Sequence, residues 1–336
     1  MASLRPNQRI RSLYELLEAF PTERACTEHL ERVRWPNGPE CPHCQTVGRV
    51  WRIRNRYKCA YCRNFFSVRH GTIFADSNIK LRMWYAAIFL FLSNRKGISS
   101  HQLARELGIR QESAWFMLSR LRHVADKMAV EVLQGIVEVD ECFVGGRERS
   151  KHAKKKLHGN WMLGKQIVAG AVERDGYVIT DRVPSRDRYA LGAFIMRRIY
   201  RGSEVHTDEH SAYKKLPMHK HKNTNHSIGQ YVDGNTHTQT IESFWAILKR
   251  SHKGIYHQWS KKHFDLYLRE FELRWNVRKI PEWRKLDVFL ANVNGTKLRK
   301  EDLVNGKRKR PRRLYERNKR QKQARLRRQR KKRQGL

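Results

Sequence analysis

The run Gly135–Gly146, GIVEVDECFVGG, limits what this chain can fold into more than any other stretch. Val137 and Val139 alternate with Glu138 ahead of Asp140, the two-residue period of a strand, and Gly145-Gly146 then turns the chain. A carboxylate is thereby delivered at the edge of a strand, where it can hold a metal ion. Two later segments offer partners. Val205-His-Thr-Asp208 is another short strand pattern ending in Asp, and Thr240–Lys249, TIESFWAILK, reads as a helix with Glu242 near its start.

The segments between them follow a definite order. A polar, basic loop at Arg147–Asn160 leads into strand patterns at Gln166–Val172 and Tyr177–Val183, joined at Arg174-Asp-Gly176, a hairpin signal. Ala190–Tyr200 reads as a helix, Glu204–Thr207 as a fourth strand and Asn225–Val232 as a fifth. Three consecutive strands, a helix, a strand and further helices is the order of a ribonuclease-H-like domain, a mixed five-stranded sheet with helices. Its first and fourth strands are neighbours, which brings Asp140 beside Asp208, and a following helix supplies the last carboxylate.

Phosphodiester cleavage needs such a cluster, because a water or a 3′-hydroxyl must be activated and charge on the leaving oxygen neutralised. Two Mg²⁺ or Mn²⁺ ions about 3.5–4 Å apart do both, and Asp and Glu oxygens suit them. Seven residues at about 100° each return to within roughly 20° of the start, so Glu242 and Lys249 share a helix face. Lys249 is then placed to hold DNA phosphate.

The formal net charge of +39 calls for a polyanionic partner, and double-stranded DNA is the leading one. The longest apolar run, Met83–Leu92, is about half of what a spanning helix needs, and the N-terminus lacks a signal-peptide apolar region. The expectation is a cytoplasmic, nucleoid-associated protein, nuclear in a eukaryotic host. Of six cysteines, four stand as Cys41-x2-Cys44 and Cys59-x2-Cys62, a spacing that points two pairs of thiolates at one structural Zn²⁺, as in a zinc ribbon. Cys26 and Cys142 read as small buried apolar residues. Between the pairs, VWRIRNRYK alternates apolar and basic residues and offers Arg52, Arg54 and Arg56 to phosphates.

Ahead of the ribbon, Arg11–Phe20 and Thr22–Val33 read as two short helices, the second capped by Thr22. Behind it, Lys80–Leu92 is an apolar helix. Ser99 or Ser100 then caps a helix with Leu103, Ala104 and Leu107 on one face, and Gly108 turns the chain into a second helix with Ala114, Met117, Leu118 and Leu121 inward. This is a helix-turn-helix pattern. Arg110, Gln111 and Ser113, near the start of the second helix, can reach phosphates and base edges. His252–Asn276 reads as one helix with Arg269 and Arg274 exposed, and Lys307–Arg333 is so basic and poor in apolar residues that it is expected to be disordered when free.

The segments FPTERACTEHLERVRWPNGPECPHC, VDECFVGG, HTDEHSAY and HTQTIESFWAILKR, with GIYHQWS and YLREFELRWNVR behind them, closely resemble the DDE transposases of insertion-sequence family 1595, relatives of the Merlin elements. The resemblance runs from about Phe20 to Arg278. It implies cleavage or nicking and strand transfer of an element bounded by terminal inverted repeats, by a two-metal mechanism, in a homo-oligomer assembled on DNA. The motif carries over as Asp140, Asp208 and Glu242, with Lys249 as basic companion. Some relatives have Asn as third ligand, and Gln239 stands where similar sequences often show Asn; Glu242 has the stronger physical case as an anionic ligand.

The expected organisation is a multi-domain α+β and α/β chain: an N-terminal helical segment at 1–38, a zinc ribbon at 39–76, and a helix-turn-helix region at 77–130. A ribonuclease-H-like catalytic domain follows at 131–294, then a basic tail at 295–336. A DNA-binding regulator derived from a transposase and silent in catalysis is the alternative, and loss of an acid would favour it.

Overall fold

The computed structural model describes residues 10–145, 164–213, 216, 218–223 and 237–305. The chain divides into one large compact unit, Met1–Lys297, and a second unit from Leu298 onward whose described part carries a short helix, Lys300–Asn305.

In the large unit, α1 (Leu13–Ala19) and α2 (Glu23–Arg34) start at side-chain caps, Ser12 accepting from the Glu15 amide and Thr22 from that of Ala25. The ribbon follows as β1 (Val50–Ile53), β2 (Arg56–Cys59) and β3 (Phe65–Phe66), an antiparallel sheet in that order. One of its faces buries Tyr57 and Phe66 edge-on against Trp35, at ring separations of 5.5 and 5.9 Å. Next come α3 (Leu81–Ser93), with Trp84, Tyr85 and Phe91 buried, α4 (Ser100–Leu107) and α5 (Gln111–Lys127). The turn between α4 and α5 needs Gly108, whose φ of 62° lies in the left-handed region. These helices and the ribbon share one core, as expected from their apolar faces.

The second sheet has the order β6-β5-β4-β7-β8, built from β4 (Ile136–Val144), β5 (Gln166–Glu173), β6 (Val178–Val183), β7 (Glu204–Thr207) and β8 (Lys220–Asn223). β4 to β6 are antiparallel neighbours, whereas β7 runs parallel to β4 and β8 parallel to β7. With α6 (Arg188–Arg198) between β6 and β7, this is the ribonuclease-H-like strand order. The sheet has a core on each face. Val137, Val139 and Val205 pack with Phe194 and Ile195 of α6, and Cys142, Val144 and Val168 pack with α7 (Gln239–Ser251) and α8 (Phe264–Asn276). The far end of α8 and α9 (Glu282–Ala291) join the core of the N-terminal helices.

Three expectations need correction or limits. The sheet's fifth strand is Lys220–Asn223, a polar KHKN edge strand with no apolar face to announce it; Asn225–Val232 and the loop Arg147–Asn160 lie wholly outside the described residues, as does the tail beyond Asn305. His252–Asn276 is not one helix. A π-helical turn at His252–Tyr256 ends at His257, whose φ of 59° breaks the path, and α8 begins only at Phe264. Arg274, expected to be exposed, is buried, and Arg269 is largely so, because both pair with carboxylates on or across from α8.

Candidate active site

Alternation along β4 divides its side chains between two chemistries. Glu138, Asp140 and Cys142 face α7, while Val137, Val139 and Glu141 face α6. Parallel pairing sets Ile136 beside Glu204, Val137 beside Val205 and Glu138 beside His206. Carried two residues further, the same register puts Asp208 level with Asp140. Asp208 follows β7 directly in a tight turn, its Oδ1 accepting from the His210 amide at 3.0 Å. Glu242 stands on the exposed side of the first turn of α7, where Thr238 Oγ1 donates to its Oε1 at 3.1 Å.

The electrostatics of Asp140 tie the three acids together. Burial pushes its carboxyl up to about 7, and the negative charges of Glu141, Asp208 and Glu242 push in the same direction, against one hydrogen bond from the Glu141 amide. Mutual repulsion among hard oxygen donors is the condition that a divalent cation relieves, although among the described residues the group of three or more ligands close enough to share one ion is the four ribbon cysteines and not these acids.

What aims α7 at this site is a residue read above only as a strand spacer. Glu138 is fully buried, and its Oε2 accepts from the amides of Thr240 at 2.8 Å and Ile241 at 3.1 Å, while Oε1 accepts from Thr240 Oγ1 at 2.9 Å. A carboxylate from the sheet therefore caps the helix N-terminus, where free amides and the helix dipole favour negative charge. Arg174 also donates to it at 3.3 Å, and His237 Nδ1 lies 3.2 Å away. At the other end of the helix, burial pushes the thiol of Cys142 up to about 12, and the nearby Lys249 ammonium opposes the shift. Glu242 and Lys249 thus lie along β4 in step with Asp140 and Cys142.

Glu141 belongs to the opposite face. It accepts from Tyr213 Oη at 2.6 Å and pairs with Arg186 at 2.9 Å. His206 is buried with Nε2 2.7 Å from Glu204 Oε1, a structural role. Gln239 is exposed at the first position of α7.

In the ribbon, Cys41, Cys44, Cys59 and Cys62 are free thiols whose sulfurs all lie within 4.8 Å of one another. Cys41 Sγ is 3.6 Å from Cys62 Sγ, and Cys44 Sγ 3.5 Å from Cys59 Sγ. Four thiolates about 2.3 Å from one tetrahedral ion would have sulfurs roughly 3.8 Å apart, so the donor set fits structural Zn²⁺. The two knuckles repeat one backbone design: the Cys41 amide donates to the Thr46 carbonyl and the Cys59 amide to that of Asn64, with Gln45 and Arg63 both at positive φ.

The nominated DNA contacts differ in freedom. Arg54 and Arg56 are exposed at the hairpin tip, whereas Arg52 is turned back, 3.7 Å from Glu31 and over the Tyr57 ring. Arg110 is exposed, Ser113 half-buried, and the Gln111 amide donates to Ser100 Oγ at 2.7 Å across the helix-turn-helix corner. Among the described residues, no helix is long and apolar enough to cross a membrane.

Comparison with known proteins agrees with this arrangement. A protein of the transposable element ISH50 from Halobacterium salinarum, itself uncharacterized, is 28% identical over 299 residues, covering 82% of this chain and 99% of that protein. Among solved structures, the Mos1 strand transfer complex matches 64% of this chain and 79% of the Mos1 chain, at 12% identity and a TM-score of 0.26. A pre-cleavage Mos1 transpososome matches 63% and 77%, at 11% and 0.25. The fold itself is defined by the strand order β6-β5-β4-β7-β8. The profile of the ISXO2-like transposase domain matches residues 132–276 and that of the transposase zinc-ribbon domain residues 21–64, together more than half of the chain. The chain therefore belongs to the ISXO2-like DDE transposases of insertion-sequence family 1595, with a zinc ribbon ahead of the transposase domain.

Proposed function

We propose that this transposase binds the terminal inverted repeats of its element and catalyses metal-dependent cleavage and strand transfer at Asp140, Asp208 and Glu242. The observation that carries the reading is the register of β4 and β7, which levels Asp140 with Asp208 beneath the helix that bears Glu242. Bound as a pair, Mg²⁺ or Mn²⁺ ions supply water activation and neutralisation of the leaving oxygen. The chain's own groups orient the rest. Glu138 holds α7 by its first amides, so Glu242 keeps its place, and Lys249 binds a DNA phosphate beside the reacting one.

DNA is held by Arg54 and Arg56 of the ribbon, with Arg52 released from Glu31, and by Arg110, Gln111 and Ser113 of the helix-turn-helix. Two element ends are brought together by a homo-oligomer, and the basic tail adds affinity that does not depend on sequence. The test is cleavage of a labelled duplex carrying the element's own terminal repeat, with Mg²⁺ or Mn²⁺. Asp140→Ala, Asp208→Ala and Glu242→Ala bind the duplex and do not cut it, whereas Gln239→Ala cuts. A native protein that binds the repeat and never cuts or joins it overturns the reading.

A further inference from the structure

The ribbon has a second face that neither zinc nor the core uses. Cross-strand pairing sets Trp51 beside Lys58 and Lys58 beside Phe65, so the three form one row across the sheet, opposite the face buried on Trp35. Trp51 is 49% exposed and Phe65 50%, with Ile53 on the same face at 45%. Arg63 lies over the Trp51 ring at 5.4 Å and the Lys58 ammonium over the Phe65 ring at 5.6 Å. Tyr61, 53% exposed, stands in the knuckle after β2. Large apolar rings left in water on a small sheet mark a binding surface.

Charge identifies the occupant. Every Asp, Glu, Lys or Arg between Glu40 and Asp76 is Lys or Arg, so the face meets an anion. A duplex offers groove edges and phosphates, and its base planes are hidden in the stack. Flat rings interleaved with cations match unpaired bases, each with an open π-face and a phosphate next to it. We infer that the Trp51–Lys58–Phe65 row is a stacking platform for unpaired nucleobases of single-stranded DNA, distinct from the duplex contacts of the helix-turn-helix. Two bases stack on Trp51 and Phe65, and Lys58 and Arg63 take the flanking phosphates. This rests on the ribbon alone and does not require the three acids to be catalytic.

The experiment uses the full-length, zinc-loaded chain with a duplex bearing a single-stranded tail that contains 5-bromodeoxyuridine, compared with the same duplex blunt-ended. Irradiation crosslinks the tail to the peptides that carry Trp51 or Phe65. Trp51→Ala with Phe65→Ala weakens binding of the tailed duplex about tenfold or more and leaves the blunt duplex within about twofold. Trp51→Phe with Phe65→Trp, which keeps two rings, restores the tailed affinity. The thiolate charge-transfer band of the Co²⁺-substituted protein reports whether each variant keeps its ribbon; if the alanine pair loses it, the ring-swap variant and the crosslink map decide. Equal loss on tailed and blunt duplexes, or crosslinks confined to other segments, overturns the proposal. A change of oligomeric state on mutating the rings also overturns it, and makes the face a contact between protein chains.

Discussion

Gly170 pairs with Asp140 across β4 and β5, and the space its missing side chain leaves is filled by Trp245 of α7. A Cβ at residue 170 would lie 2.4 Å from Trp245 Cζ2 and 3.2 Å from Ile241 Cδ1. The helix that bears Glu242 thus lies flat on the sheet because residue 170 is glycine. Gly170→Ala should destabilise the protein by about 1–3 kcal/mol, the usual cost of overfilling a packed core, and should reduce cleavage as α7 lifts. Thermal unfolding and a cleavage assay on the same preparation check this.

Removing the carboxylate that caps α7 should separate binding from chemistry. Glu138→Gln keeps the volume and one oxygen for the Thr240 and Ile241 amides, but it loses the negative charge at the helix N-terminus and turns a donor toward Thr240 Oγ1 and Arg174. Residues that orient metal ligands typically matter at about 10–100-fold in activity, and a cleavage loss of that order is expected with affinity for the terminal repeat unchanged. Equal losses in binding and cleavage would count against a positioning role.

The buried charges between α5 and α8 form the most brittle part of the fold. Glu270 is fully buried with Arg122 and Arg274 as ion-pair partners, and Tyr256 donates to it as well. Burial pushes its carboxyl up, yet the two guanidiniums hold it below the usual range. Glu270→Leu strands two buried cations and should cost about 3–5 kcal/mol. Urea unfolding measures this directly, and a change under about 1 kcal/mol would show that the cations find other partners.

Asp140 should make the magnesium-free protein less stable as pH rises. Its folded carboxyl titrates near 7, against about 3.9 when unfolded, so between those values the folded state holds the extra proton. Stability from this group therefore falls from about pH 4 to about pH 7 and is flat above. Asp140→Asn should match the native chain below about pH 4 and exceed it by on the order of 2–4 kcal/mol above about pH 7. Added Mg²⁺ should raise the melting temperature of the native chain and leave that of the variant in place.

Much of the fold is legible in the sequence because the decisive signals are local. Thr22 and Ser99 cap the helices they precede in sequence, Gly108 takes the left-handed turn, and the two cysteine pairs form knuckles whose geometry depends on a few adjacent residues. The strand order from β4 to β7 followed from alternating periods. What stayed hidden depended on distant partners. Glu138 looked like an exposed alternate of a strand, since its partners are helix amides more than a hundred residues away. Arg269 and Arg274 looked like the wet side of a helix because Asp181 reaches Arg269, and the Phe91 carbonyl and Arg122 close over Arg274 and Glu270, only in the folded chain. The edge strand Lys220–Asn223 carries no apolar pattern, as its stability comes from backbone pairing with β7.

Asp140, Asp208 and Glu242 together should hold divalent metal. Titration of the zinc-loaded, DNA-bound protein with Mn²⁺, followed by electron paramagnetic resonance of the free ion, tests it most directly. Two ions bound per chain in the native protein, with loss of at least one in each of Asp140→Asn, Asp208→Asn and Glu242→Gln, is the predicted result. Unchanged Mn²⁺ uptake in all three variants would show that these acids hold no metal.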